Sequence, residues 1–122
     1  VSFDDAWARS APWMEAALAH AGRTHGIADV RAMVLEGRAQ FWASPSCAVV
    51  TLVEEDPCER RLLVWLAGGE LDALTGRMLP RIEAWGRAHG CRRLLVIGRA
   101  GWERALKPKG FAPLARVIAK EL

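Results

Sequence analysis

The residues able to do proton, metal or nucleophile chemistry are few and scattered. His20, His25 and His89 have no cysteine or carboxylate at the spacing of a zinc-binding set, and His89-Gly90-Cys91 supplies only two donors, so no metal site is expected. Ser44, Ser46 and Cys47 cluster, yet a covalent nucleophile needs a base and an orienting group that their spacing does not supply. Cys47, Cys58 and Cys91 form no close pair and read as free thiols of a reducing compartment. The clearest chemical signal is electrostatic. Residues 1–76 carry six Arg and Lys against eleven Asp and Glu, whereas residues 77–122 carry eleven against three, so the second half should attract anions. Arg87, Arg92, Arg93, Arg99, Arg104, Lys107 and Lys109 make up that basic face. A phosphate-bearing small molecule or an acidic protein surface suits it; nucleic acid is not expected.

The elements that must position these groups follow from periodicity. Phe3, Trp7, Met14 and Leu18 recur at helical spacing, which predicts a first helix over 3–21, bent or restarted near Pro12. A second helix is expected from Ile27 to Glu36, stopped by Gly37. Gln40 to Ala43 reads as a short strand. Cys47 to Glu54 and Arg60 to Ala67 flank the turn residues Glu55, Asp56, Pro57 and Cys58 and read as an antiparallel hairpin. Leu71, Leu74, Met78, Ile82 and Trp85 then form one helical stripe over 70–89, with a bend or break between 76 and 80 because the ring of Pro80 crowds the carbonyl of Gly76. Arg92 to Ile97 is an apolar strand, parallel to the one before the helix through a right-handed crossover. A short helix, Gly101 to Leu106, and a last strand over 114–122 complete the order ααβββαβαβ. The expectation is a single α/β domain over 1–122 with helices packed on a mixed sheet. Trp65, Leu71, Leu74, Ile82, Trp85, Leu95 and Ile97 should share one apolar cluster. The chain has no apolar run of membrane-spanning length, and Val1 to Asp5 lack the basic and apolar pattern of a secretory signal, so the expected location is the cytoplasm.

This order, with Gly110-Phe111 closing a short helix ahead of the last strand, resembles the GNAT acyltransferase superfamily. More narrowly, Leu66-Ala67-Gly68-Gly69, Glu83-Ala84-Trp85-Gly86-Arg87 and Gly98-Arg99-Ala100-Gly101-Trp102 look like stretches of small GNAT-like proteins of bacteriophage and prophage genomes. The resemblance spans residues from about 27 to 122. It implies that acyl-CoA lies where two parallel strands splay, with Leu66, the amides of Gly68 and Gly69, and Arg99 as its contacts.

The chain departs from the superfamily at the points that matter for chemistry. Ala67-Gly68-Gly69-Glu70 is shorter than the pattern Q/R-x-x-G-x-G/A that wraps a diphosphate, and Glu70 and Asp72 stand at the helix start, where they either repel phosphate or simply stabilise their own helix. The phenol acid of the superfamily's short fourth helix is missing, because the chain has no Tyr, and Trp102 on that helix reads as a packing residue. Glu54 or Glu55 would act as a general base if burial raised it, and is otherwise a solvated turn residue. No catalytic residue is assigned. Two functions are therefore expected: a phage-associated protein that kept the fold, lost the chemistry and contacts another protein, with incorporation in a virion as one form of that role; or an N-acetyltransferase using acetyl-CoA on an unknown acceptor. The first needs no cofactor.

Overall fold

A computed structural model describes residues 2–122. The first helix, α1 (Phe3–His20), opens on Ser2, whose hydroxyl accepts a hydrogen bond from the Asp5 N–H at 3.1 Å, with Asp4 and Asp5 in the first turn complementing the helix dipole. It runs unbroken through Pro12, because Trp7, Ser10, Met14 and Leu18 are buried on both sides of the proline and hold the helix on the sheet. α2 (Ile27–Leu35) follows, and the Arg31 guanidinium reaches back to Asp4 at 2.8 Å.

Four strands form one sheet in the order β1-β2-β3-β4. They are β1 (Gln40–Ala43), β2 (Cys47–Glu55), β3 (Arg60–Gly69) and β4 (Arg93–Val96). β1, β2 and β3 are antiparallel neighbours; β4 lies parallel to β3, with Arg61 opposite Arg93 and Val64 opposite Val96. The crossover between them comprises α3 (Leu71–Ala73), a π-helical turn over Leu74–Met78 and α4 (Leu79–Ala88). That turn is the break expected ahead of Pro80: a proline without N–H cannot continue the i to i−4 ladder, and the wider turn ends just before α4 starts. α5 (Ala100–Leu106) and a 3₁₀ turn (Lys107–Lys109) complete the regular structure.

The register of β2 on β3 contains one irregularity. Val50 faces Leu66, the next residue Thr51 faces Val64, and Trp65 is left over as a β-bulge. Its consequence is visible in the packing. Leu62 and Val64 join Cys47, Val49, Leu74, Met78, Ile82 and Leu106 on one face of the sheet. Leu66, which strict alternation would put beside them, instead joins Ala48, Val50, Trp7, Met14, Leu18 and Val30 on the other, and Trp65 packs there too.

Two expectations are corrected. The apolar residues proposed to share one cluster do not: Leu74 and Ile82 are buried together with Trp85 at their margin, but Trp65 lies across the sheet and Leu71 and Ile97 are largely exposed. Trp65 alternates with Leu62 and Val64 and so faces the other side of the sheet, and β4 ends at Val96, which leaves Ile97 beyond the ladder. The last strand over 114–122 is not formed either. Residues 112–122 have no regular structure and no ladder partner among the described residues, since an extended pattern needs an adjacent edge and this segment does not lie along one.

Ile82 is fully buried at the centre of the crossover, whereas Leu71 on the same stripe is half exposed. Ile82→Ala should lower the unfolding free energy by about 3 kcal/mol through the cavity it leaves, and Leu71→Ala by less than about 1 kcal/mol. Urea denaturation of the two variants measures both.

Candidate functional site

β3 and β4 pair over only four positions and then separate. The separation begins where the bulge does: Val64 is the last residue of β3 with a partner in β4, and Trp65 is the extra residue. A bulge bends its strand and sharpens the local twist, so β3 swings away from β4 while keeping its ladder to β2 as far as Gly69 opposite Cys47. The result is a wedge whose one wall, Trp65 to Gly69, offers backbone N–H and C=O groups without a strand partner on that side.

A cavity of about 420 Å³ fills this wedge. Trp65 and Ala67 line it from β3, Ile97, Gly98 and Arg99 from the segment after β4, and Trp102 from α5. The last turn of α1 closes the remaining side with Ala17, His20 and Ala21. Gly98 is required for the shape, because a Cβ there would stand 2.8 Å from Cδ1 of the Trp102 indole. Trp102 also packs against the core cluster beneath α5. Arg99 occupies the N-cap position of α5, and its Nη1 stands 3.4 Å from Nε2 of His20, a long hydrogen bond in which the guanidinium donates and the imidazole accepts. His20 and Arg99 are thus the ionisable pair of the wedge, an acid–base group beside a fixed cation.

The other residues named from sequence are distributed differently. Leu66 is buried in the cluster under α1, so only its backbone faces the ladder. Gly68 and Gly69 are not a free loop. Both belong to β3, opposite Ala48 and Cys47. Each is glycine because another chain segment comes too close: a Cβ on Gly68 would meet Cβ of Trp13 at 2.6 Å, and Gly69, at φ +106°, lies against Ser46 and Cys47. The Glu70 N–H donates to the Ser46 carbonyl at 2.8 Å. The amides still open at the start of α3 are flanked by the carboxylates of Glu70 and Asp72. Glu54 and Glu55 sit at the far end of the hairpin, where Glu54 lies 3.5 Å from Arg61 and Glu55 is ion-paired with Arg60.

The basic face is also divided. Arg92 and Arg93 flank the start of β4 and approach Glu59 at 4.0 and 3.5 Å, while Arg99 lies beyond the other end of that strand. Among the described residues no three His, Cys, Asp or Glu side chains gather as a metal site. Burial pushes the Cys91 thiol up, Arg60 opposes that shift and Glu55 adds to it, the reverse of what activates a thiol. No helix among the described residues is long and apolar enough to cross a membrane.

His20 and Trp65 are the site residues that sequence reasoning missed. The cavity is assembled from residues 17–21, 63–67 and 97–102, three segments whose juxtaposition depends on a bulge, and no spacing along the chain signals it.

No protein-family model matches the chain, and no curated protein matches it. Solved structures do. The chain is similar to TTHA1254 from Thermus thermophilus, with a TM-score of 0.68, 17% identity, and coverage of 99% of this chain and 93% of that one. A single-residue variant of the same Thermus protein superposes with the same TM-score at 18% identity. An acetyltransferase of Trypanosoma brucei matches with a TM-score of 0.58 and 10% identity, over 91% of this chain and 94% of that one. These likenesses establish the fold, which is GNAT-like.

If Gly68 serves the approach of α1, Gly68→Ala should destabilise the protein by about 1–3 kcal/mol through the clash with Trp13. Equilibrium unfolding reads the loss, and a change in Trp fluorescence of the folded state reads the displaced α1.

Proposed function

We propose that this protein keeps a GNAT-like framework without acyl-transfer chemistry and works through contacts with another protein, as a phage-associated interaction or particle component. The observation that carries the reading is the closed phosphate end of the wedge. A CoA diphosphate needs a loop of free amides and a positive environment. Here Gly68 and Gly69 are ladder residues packed against Trp13 and Ser46, the Glu70 N–H is bonded to Ser46, and Glu70 and Asp72 put two carboxylates at the remaining amides. The group that the fold implies therefore fits poorly at its most highly charged part. The phage association rests on the sequence resemblance of Leu66 to Gly69 and Gly98 to Trp102.

A second reading is an acyl-CoA-dependent N-acetyltransferase of unknown acceptor, favoured by the other end of the same wedge. There the unpartnered edge of β3 suits the amides of a pantetheine arm, and His20 beside Arg99 would be the proton carrier. The leaving thiolate still lacks a phenol donor, since the chain contains no Tyr.

A CoA-release assay over a panel of amines and peptides separates the two. The expected result is no turnover by the wild type and no thermal shift with acetyl-CoA, where a ligand at about 100 times its dissociation constant would add about 2.7 kcal/mol of apparent stability. Acetyl-CoA binding by Glu70→Gly/Asp72→Asn, without turnover, would identify the two carboxylates as the obstacle. Robust wild-type turnover would overturn the first reading in favour of the second.

A further inference from the structure

The cavity between β3 and β4 is lined by no carboxylate, and it holds a cation that no acid neutralises. Arg99 is exposed and forms no ion pair among the described residues; its guanidinium has only the long contact to His20. Ala17, Trp65, Ile97 and Trp102 give the same cavity an apolar surface, and Ile97 is 57% exposed there. The β3 wall then runs on from Ala67 to Glu70, about 10 Å at strand spacing. At that end Glu70 and Asp72 are exposed and likewise have no ion-pair partner among the described residues.

One strand edge thus carries a positive charge beside Trp65 to Ala67 and two negative charges farther along. Between them the backbone groups of β3 that face the wedge have no ladder partner past Val64 among the described residues. An extended peptide satisfies such an edge by adding a strand to it. We propose that the wedge takes the C-terminal peptide of a partner protein, with the terminal carboxylate on Arg99 and a Lys or Arg about three residues upstream on Glu70 and Asp72. The inference rests on the reading that this protein works through contacts with another protein, and it names the partner's chemistry.

Shape and charge together select this occupant. The wedge narrows to the pairing of Val64 with Val96, so a strand that follows β3 inward has no exit and must end there. A chain end beside an unpaired guanidinium is a carboxylate, whose two oxygens fit the planar fork, and not an ammonium. The peptide therefore runs antiparallel to β3, and its last side chain enters among Trp65, Ile97 and Trp102, which favours an apolar one. At the other end a basic side chain meets its complement in Glu70 and Asp72, whereas a diphosphate meets repulsion.

Fluorescence polarisation of a labelled Ser-Gly-Lys-Ala-Val-Leu peptide, titrated with the full chain to about 1 mM, tests the site. The free acid should bind, and C-terminal amidation should weaken it about tenfold or more, the range for a charge-assisted contact. Arg99→Ala should abolish the difference between acid and amide, with circular dichroism unchanged because Arg99 is exposed. Glu70→Gln/Asp72→Asn should keep that difference but remove the preference for Lys over Glu at the upstream position of the peptide. Absence of binding overturns the proposal. So does equal binding of acid and amide, and so does an acid preference that Arg99→Ala leaves intact. A peptide that fails to bind a protein without CoA-releasing activity overturns this inference alone, whereas CoA release overturns the reading beneath it.

Discussion

Trp65 is one residue more than the ladder between β2 and β3 can pair, and much of the molecule follows from where that excess is placed. Because the side-chain period of a strand is two, the extra residue reverses the faces of everything after it. Leu62 and Val64 serve the helices of the crossover, and Leu66 serves α1 and α2, so one strand ties both layers to the sheet. The same bend ends the pairing with β4 after Val64. Closing that wedge would require removing the bulge, and removing the bulge would turn Leu66 out of its cluster. The cavity is therefore built into the packing of the fold.

What lines the wedge is chemically uneven. At its mouth, His20 and Arg99 put an imidazole next to a permanent cation, and Gly98 allows the Trp102 indole to lie against the backbone. At its other end, the strand continues as ladder to Gly69 and delivers the chain directly into a helix flanked by acid. The close approach of Trp13 to Gly68 leaves little freedom for that strand to loosen into a loop. A neutral or cationic group meets a favourable field at the helix start and a diphosphate does not. The geometry of a transferase cleft and the electrostatics of its phosphate end point in opposite directions.

Much of this architecture is legible in the sequence because local signals agree with the tertiary result. The hairpin of β2 and β3, the parallel placement of β4 and the irregular turn ahead of Pro80 all follow from alternation, stripe and proline chemistry. The bulge is not legible. Leu62 to Leu66 are all apolar and both faces of β3 are covered, so a one-residue slip in register leaves no mark on the pattern. A hidden bulge also hides His20 and the passage of Leu66 from one core cluster to the other. Pro12 is a separate case: its local penalty is real, but buried side chains on either side of it keep the helix continuous. The segment 114–122 reads as a strand from its residues alone, and a strand is a property of a pair.

β4 is the element through which these features meet. It is four residues long, is held by one ladder to β3, and carries at its end the Ile97 to Arg99 segment that forms a wall of the wedge. A short edge strand with a single ladder is among the less stable parts of a sheet, because each end frays without a second neighbour. Whatever pairs with its outer edge adds a second set of backbone hydrogen bonds to the strand that positions Arg99, and so restricts the wedge without touching it. The reverse holds by the same linkage: a ligand that fixes Ile97 to Arg99 against β3 also steadies the outer edge for a partner. A wall of the cavity and the free edge of the sheet thus meet in one four-residue strand.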